Sequence, residues 1–242
     1  MFYYLIKIKN LILDILFPPI CVNCRQTLNK EKYLCKNCYK TIKLNTALFC
    51  PFCRARLAEN KKICRHSKKD FPFPYFLAAA GNYDDPILRN LIHCLKYQKF
   101  EKLAPILGEI LLNYLKILNF KFFNLKSAVI IPVPLHFWRE KQRGFNQSKL
   151  IAEYVAKKLN IQLVDALKRV KNNKPQTKSK NREERNKNVE EIFKVINPDL
   201  IRGKNIILVD DVYTSGATIN ETVKILKQNE CKKIIALVIA KA

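Results

Sequence analysis

The chain has 242 residues, enough for one large domain, or a domain with a small satellite module, around a hydrophobic core. Hydrophobic residues make up 48% of it, which excludes a wholly disordered chain, and the low counts of glycine (5) and proline (11) exclude collagen-like and linker-like sequences. Lys and Arg total 45 against 20 Asp and Glu, a formal net charge of +25. Such a charge attracts polyanions, either nucleic acid or a polyphosphate metabolite, although part of the excess can reflect a generally Lys-rich composition.

The first 17 residues carry apolar side chains at helical spacing, interrupted by charges. Lys7, Lys9 and Asp14 make this segment too polar and too short to cross a bilayer, and no small-residue cleavage site follows. We therefore expect an amphipathic helix over residues 1–17, docked on the protein's own body, with a membrane-surface anchor as the alternative. No membrane span or targeting signal is expected, and a cytoplasmic location is predicted. The apolar positions are Leu5, Ile8, Ile12, Ile15 and Leu16.

Seven of the nine cysteines lie between Cys21 and Cys64, mostly as C-x-x-C pairs, which is typical of metal binding in a reducing compartment. The frame repeats after 29 residues, so a double zinc-ribbon-like module is predicted over residues 18–70. The two copies consist of Cys21, Cys24, Cys35 and Cys38, and of Cys50, Cys53 and Cys64 with Ser67 in place of an eighth cysteine.

A C-x-x-C turn directs both sulfurs to one point, and a hairpin of about ten residues returns the second pair to close a tetrahedral thiolate site. The first copy therefore predicts one Zn²⁺, which would supply much of the folding energy of so small a module. In the second copy His66 is the candidate fourth ligand, although it is one residue out of register. Alternatively, that copy has lost its metal and is held by packing, and pairing between the copies stays open. Cys94 and Cys231 are expected to be ordinary buried thiols.

From about residue 75 apolar strands alternate with helices, which predicts an α/β domain over residues 75–242 with a mainly parallel sheet covered on both faces. A basic loop is predicted at residues 136–146, and a long polar, basic stretch between residues 164 and 206. Strands are predicted at residues 75–83, 128–134, 161–164, 206–210 and 234–239, and helices at 86–97, 103–118, 147–159 and from Thr218.

The run 206–218 places two acids, Asp210 and Asp211, after a buried strand, at the edge where open α/β sheets bind ligands. A short hydroxyl-rich turn at a helix N-terminus follows, and its N–H groups, hydroxyls and helix dipole suit a monophosphate. Acids beside a phosphate cradle favour a ribose 5-phosphate, with the acids on the 2′ and 3′ hydroxyls. The alternative is a helix N-cap beside two solvated acids. The turn comprises Thr214, Ser215, Gly216, Ala217 and Thr218.

This run resembles the phosphoribosyl-pyrophosphate motif of type I phosphoribosyltransferases. The segments Pro132-Val-Pro-Leu-His136 and Arg143-Gly-Phe-Asn-Gln147, with a third match at residues 176–188, are similar more narrowly to the ComF family of competence proteins. The resemblance covers nearly the whole chain, because these proteins carry a double zinc ribbon before a sheet of the type I phosphoribosyltransferase kind. The missing eighth cysteine is the departure from the family's pattern, and it bears only on the second zinc.

The resemblance implies a role for each matching residue. Asp210 and Asp211 would bind the ribose hydroxyls as the catalytic acids, residues 214–218 would hold the 5-phosphate, and Mg²⁺ would accompany phosphoribosyl pyrophosphate. Residues 171–188 would form a mobile hood. Lys96 lies in a similar Leu-Lys-Tyr context without a clear role, and for the basic residues a solvated charged face is the alternative. The residues implied in pyrophosphate binding are Arg143, Gly144 and Asn146 after the first motif, and Arg182 and Arg185 in the hood.

Two functional hypotheses follow from this resemblance. The first is a ComF-like role in natural transformation, in which the chain imports or handles single-stranded DNA, with other competence proteins as candidate partners and phosphoribosyl pyrophosphate as a bound ligand. The second is an active phosphoribosyltransferase of nucleotide metabolism or salvage, acting on an unidentified base or amine, with the zinc ribbons as a docking module. The acceptor cannot be read from the sequence.

Overall fold

The computed structural model describes residues 18–28, 33–57, 64, 73–118, 123–171 and 192–242. The predicted N-terminal helix, His66 and Ser67, and all of the hood beyond Lys171, including Arg182 and Arg185, lie outside the described residues. The described residues form seven strands: β1 Phe76–Asn82, β2 Ala128–Pro132, β3 Gln162–Leu163, β4 Leu167–Arg169, β5 Phe193–Val195, β6 Asn205–Tyr213 and β7 Ile234–Lys241.

Five of the strands form one parallel sheet in the order β1-β7-β6-β2-β3. Its strands are apolar at successive positions because both faces are covered. Alternate residues enter two separate cores: in β1, Leu77 and Ala79 face one core, whereas Ala78 and Ala80 face the other. The mainly parallel sheet predicted from the sequence is therefore confirmed.

The α-helices among the described residues are α1 Lys36–Thr41, α2 Pro86–Tyr97, α3 Ala104–Ile117, α4 Phe137–Arg143, α5 Gln147–Leu159 and α6 Ala217–Gln228. α2, α3 and α5 pack in the first core and α6 in the second, so helices cover both faces of the sheet. The start of α2 follows from its sequence: the Asp85 carboxylate accepts the N–H groups of Ile87 and Leu88, and Pro86 occupies the first turn. No helix in the described part of the chain is long and apolar enough to cross a membrane.

The structure corrects two of the predicted loops. Residues 136–146 were expected to form a loop, but they contain α4, which His136 caps by accepting the Trp138 N–H at 3.3 Å and which Gly144 ends at φ 94°. Every residue of α4 remains at least partly exposed, so no apolar periodicity marked it. The polar stretch after residue 164 was also expected to lack strands. Instead, β4 and β5 pair antiparallel at its two ends, with Leu167 opposite Val195.

The cysteine repeat is a repeat of the backbone as well as of the sequence. Antiparallel bridges close residues 20–27, the first knuckle, and residues 49–56, the second knuckle, at equivalent positions. Arg25 and Arg54 occupy the same left-handed conformation, at φ 64° and 58°. The first knuckle packs in the core beneath α2, α3 and α5, whereas Phe49 of the second enters the core of α6. Residues 45–49 run along β1, where the Asn45 and Phe49 N–H groups donate to the Ala80 and Leu77 carbonyls at 2.8 Å. These hydrogen bonds cover the free edge of the sheet.

Candidate functional site

The two predicted acids lie where the sheet opens. β2 pairs with β6 only as far as Pro132 opposite Val209, whereas β6 continues beside β7 to Tyr213. Asp210 and Asp211 therefore stand beyond the last rung of β2, at the point where the chain's direction across the sheet reverses. Open α/β sheets bind ligands in such a crevice at the carboxyl ends of their strands. The sequence predicted that this strand ends at Asp210. In the structure β6 continues to Tyr213 and contains both acids.

Asp210 is held by two donors on one oxygen. Its Oδ1 accepts the Ser148 hydroxyl at 2.8 Å and the Asp211 N–H at 2.9 Å. Burial and the neighbouring Asp211 charge raise the pKa of Asp210 to about 7, while these hydrogen bonds oppose the rise. Asp210 thus changes its charge close to neutral pH.

Asp211 is 4% exposed and has one oxygen paired and one unpaired. Its Oδ1 receives the Lys96 ammonium at 2.7 Å, which gives a partner to the lysine whose role the sequence left unclear. Its Oδ2 is buried and accepts no hydrogen bond from any of the residues that the structure describes. A buried acceptor without a donor is costly, so a hydroxyl group arriving at this oxygen would be favoured.

Residues 214–218 form the loop that joins β6 to α6. Thr214, Ser215 and Thr218 are exposed, and the Ser215 hydroxyl accepts the Ala217 N–H at 3.3 Å. Gly216 adopts φ 82°, and a Cβ there would collide with the Tyr213 hydroxyl, so glycine is required by both conformation and space. Gly216 has no side chain with which to cap this 12-residue helix, so the first-turn N–H groups other than that of Ala217 lack partners within the helix and can face an anion.

The loop after β2 contributes one charged group and two structural residues. Arg143 is half-buried and donates to the Gln147 side chain; burial lowers its pKa, and the nearby Asp211 charge opposes that shift. Asn146 caps α5 by accepting the Ser148 N–H at 3.0 Å, and it donates to the Val133 carbonyl at 3.1 Å. Gly144 serves to end α4. Of the three residues of this loop that were implied in pyrophosphate binding, Arg143 therefore lies near the Asp211 charge, whereas Gly144 and Asn146 shape the loop.

Ser148 and Arg169 belong to the site but were missed in the sequence. Ser148 lies in the first turn of α5, and a hydroxyl there reaches the sheet edge because α5 begins beside the end of β2. Arg169, on β4, is half-buried; burial and the charge of Arg139 lower its pKa, and the charge of Asp210 raises it. The strand β4 itself was not predicted, so nothing in the sequence placed Arg169 beside the acids.

The first cysteine cluster has the dimensions of a zinc site. The sulfurs of Cys21, Cys24, Cys35 and Cys38 all lie within 4.8 Å of one another. Cys21 and Cys38 are 3.9 Å apart, and Cys24 and Cys35 are 3.7 Å apart. A tetrahedron with Zn–S bonds of about 2.3 Å has edges of about 3.8 Å, so the four thiolates fit Zn²⁺. The sequence left open whether cysteines pair within or between the copies, and the structure brings together these four from one copy.

The second cluster brings together three cysteines. The sulfurs of Cys50, Cys53 and Cys64 also lie within 4.8 Å of one another, and Cys53 and Cys64 are 3.8 Å apart. Three thiolates supply a partial zinc site, and the proposed fourth ligand, His66, lies outside the described residues. Cys94 and Cys231 are free thiols that are 3% and 7% exposed, as expected.

Two family models match the chain. The double zinc ribbon domain matches residues 12–68, and the phosphoribosyl transferase domain matches residues 146–242. Among solved structures, an allosteric regulatory enzyme of purine biosynthesis aligns with 56% of this chain and 25% of its own, at 16% identity and a TM-score of 0.37. We draw nothing from so distant a likeness.

Curated relatives match almost the entire chain. Competence protein F of Haemophilus influenzae is 31% identical over 227 residues, which cover 92% of this chain and 96% of the relative. DNA utilization protein YhgH of Escherichia coli K12 is 29% identical over 88% of this chain and 92% of its own. Competence protein ComFC of Bacillus subtilis is 29% identical over 80% of this chain and 77% of its own. Both domains are matched in order, and the identity extends over most of the length of these relatives, so the chain belongs to the ComF family of competence proteins.

Proposed function

We propose that the crevice between β2 and β6 binds phosphoribosyl pyrophosphate, and that the chain uses this site while handling single-stranded DNA in natural transformation. The observation that carries the ligand is the unpaired, buried Oδ2 of Asp211 next to Asp210. Vicinal ribose hydroxyls are donors that satisfy two adjacent carboxylates at once. The 5-phosphate then extends to residues 214–218, on the same strand and its following helix.

The positive charges near the acids suit a pyrophosphate group. Arg143 is close enough to Asp211 for the aspartate's charge to affect its pKa, and Arg169 stands in the same relation to Asp210. Arg182 and Arg185 of the hood remain proposed ligands of the same group. Mg²⁺ fits here because carboxylate and phosphate oxygens are its preferred ligands, and it would neutralise the charge of the leaving pyrophosphate.

A transferase activity is the second candidate, and the pKa of Asp210 favours it. Displacement at C1 of the ribose develops positive charge on the sugar ring, which two neighbouring carboxylates stabilise. A carboxylate with a pKa of about 7 can also accept a proton from an incoming amine near neutral pH. Lys96 holds Asp211 in place without occupying its second oxygen.

The DNA-handling role rests on the relatives and on one surface. Proteins named competence protein F, ComFC and DNA utilization protein are similar over most of this chain. Beside the crevice, Phe137 and Trp138 of α4 and Tyr97 of α2 are 64%, 62% and 67% exposed. Lys141 lies 5.8 Å from the centre of the Trp138 ring. Exposed rings among basic residues are the combination that binds single strands by stacking and phosphate contacts.

The test is ³¹P NMR of phosphoribosyl pyrophosphate with Mg²⁺ and zinc-loaded protein, alone and with purine, pyrimidine and single-stranded DNA acceptors. The control is the double variant Asp210→Asn/Asp211→Asn. Resonances that shift or broaden with wild-type protein and not with the variant would establish the site. Release of pyrophosphate only with an acceptor would make the chain a transferase and identify the acceptor class. Unchanged spectra with wild-type protein would refute the proposed ligand.

A further inference from the structure

The second knuckle is attached to the loop that follows β6. The Arg54 guanidinium donates to the Thr214 carbonyl at 2.6 Å and to the Ala242 carbonyl at 2.6 Å. These contacts join residues 160 and 188 positions apart in the chain. Because both acceptors are main-chain groups, the planar two-pronged side chain fixes the backbone itself at the start of the 214–218 loop.

A second attachment lies beneath the same loop. Tyr213 is 1% exposed, and its hydroxyl donates to the carbonyl of Pro51, which lies between Cys50 and Cys53, at 2.6 Å. The same hydroxyl lies 3.1 Å from that of Tyr75, which donates to Asn220 of α6 at 2.6 Å. Since the Tyr213 ring also limits the space at Gly216, the knuckle, the ring and the turn are in direct contact.

The geometry points to Arg54 as a positioning residue for the phosphate site: we propose that the second knuckle holds the 214–218 loop in its anion-binding form. This inference rests on the proposed function of that loop. In a planar trans peptide the C=O and the following N–H point in opposite directions. Fixing the Thr214 carbonyl toward Arg54 therefore turns the Ser215 N–H away from the knuckle, toward the open side of the loop.

The cysteines of the knuckle hold Arg54 in turn. Its own N–H donates to the Cys50 carbonyl at 2.9 Å, and its left-handed backbone closes the turn that places Cys50 and Cys53 side by side. The cluster of Cys50, Cys53 and Cys64 thus fixes the position from which Arg54 reaches the loop. We expect the loop to be less ordered when this cluster is broken.

The first knuckle offers a matched control. Arg25 is the repeat equivalent of Arg54, with the same left-handed conformation and the same exposed position, but it lies near Cys94 of α2 rather than near the loop. We therefore compare zinc-loaded wild-type protein with Arg54→Gln, Arg54→Lys and Arg25→Gln. Zinc content, measured for every variant, establishes that the metal sites remain intact.

The first measurement is hydrogen–deuterium exchange of peptides spanning residues 213–219, without any ligand. We expect exchange on the order of tenfold faster in Arg54→Gln, an intermediate rate in Arg54→Lys, and the wild-type rate in Arg25→Gln. Cys53→Ser should also speed exchange in this loop. Unchanged exchange in Arg54→Gln would overturn the positioning role, and unchanged exchange in Cys53→Ser would overturn the contribution of the cysteine cluster.

The second measurement is the affinity for phosphoribosyl pyrophosphate with Mg²⁺, by calorimetry. We expect Arg54→Gln to weaken binding on the order of tenfold and Arg25→Gln to leave it unchanged. Faster loop exchange without weaker binding would show that the loop does not hold the ligand. If wild-type protein binds no ligand, the proposed function fails, and the exchange comparison still decides the role of Arg54.

Discussion

At the scale of single residues, two adjacent acids have been given different surroundings. Asp210 receives two neutral donors on one oxygen, whereas Asp211 faces the Lys96 ammonium. Like charges this close disfavour double ionisation unless a cation is near. The lysine lies against Asp211, whereas burial and the neighbouring Asp211 charge raise the pKa of Asp210.

The raised pKa of Asp210, at about 7, predicts a pH-dependent affinity for phosphoribosyl pyrophosphate. Below that pH the Asp210 carboxyl group is protonated in the free protein, so one of the oxygens that could accept a hydrogen bond from a ribose hydroxyl carries a hydrogen instead. Affinity should fall by up to about tenfold per pH unit below 7 and level off above it. Calorimetry from pH 5.5 to 8.5 measures this, and Asp210→Asn reports the ligand's own titration. Parallel profiles for the two proteins would contradict the assignment.

Lys96→Met should destabilise the protein even without a ligand. Lys96 is partly buried, at 18% side-chain exposure, and Asp211 is buried, at 5%, so removing the lysine leaves a buried, uncompensated carboxylate. We expect a loss of about 3 kcal/mol in the free energy of unfolding, measured by urea denaturation. The matched control is Lys149→Met, whose 2.6 Å pair with Asp165 is exposed, at 40% and 54%, and should cost under about 1 kcal/mol. Equal losses in the two variants would contradict a buried ion pair.

At the scale of elements, α4 is a short helix with an unusual surface. It buries no residue, yet it presents two adjacent aromatic rings, Phe137 and Trp138, 5.7 Å apart, and ends at Arg143 beside the acids. A helix that contributes nothing to the core and carries rings next to a ligand crevice is better explained by a partner than by stability. We therefore propose that single-stranded DNA binds to the α4 surface, defined as Phe137, Trp138, Arg139 and Lys141 of α4 with Tyr97 at the end of α2.

Substitutions on the α4 surface should separate stacking from charge. Phe137→Ala/Trp138→Ala should weaken binding of an oligothymidine by about 1–3 kcal/mol per stacked base and leave its salt dependence unchanged. Arg139→Ala/Lys141→Ala should instead reduce the slope of log K against log salt by up to about two. Fluorescence anisotropy over a salt series measures both effects. Lys157→Ala/Lys158→Ala, at the exposed end of α5, is the matched loss of charge. An equal change of this slope in the control variant would show that DNA binding depends on net charge and not on the α4 surface.

At the scale of the whole molecule, the sequence predicted what depends on local pattern and missed what depends on assembly. The alternation of strands and helices, the bounds of α2 and α5 and the cysteine frame all follow from spacing and capping that neighbouring residues decide. Lys96 contacts Asp211, and Arg54 contacts Thr214, only because the fold brings α2 and the second knuckle against β6 and the loop that follows it. Such contacts join residues more than a hundred positions apart, and one sequence carries no signal for them.

Zinc should stabilise the entire chain and not the ribbon module alone. The two knuckles pack on opposite faces of the sheet, and residues 45–49 join them along the edge of β1. Of the four cysteines spaced for Zn²⁺, Cys21 and Cys38 are buried in the same core as α2 and α3, so loss of the metal should open that part of the core. In a chain of this size, each kcal/mol lost from the free energy of unfolding lowers the melting temperature by about 2–4 °C. We expect the melting temperature to fall by roughly 10 °C when the zinc is removed by a chelator.

Native mass spectrometry and calorimetry test this together. Wild-type protein should carry at least one zinc ion, and Cys24→Ser should lose that ion and melt at the temperature of the chelated protein. Cys231→Ala, which removes a buried thiol outside both clusters, should retain the zinc content of the wild type. If the zinc-free protein has the same melting temperature as the zinc-loaded protein, the stability of the sheet does not depend on the metal-bound knuckles. Because Cys21 and Phe49 lie in the two cores of the sheet, we expect a single melting transition. Two separate transitions would show that the ribbons unfold independently of the sheet.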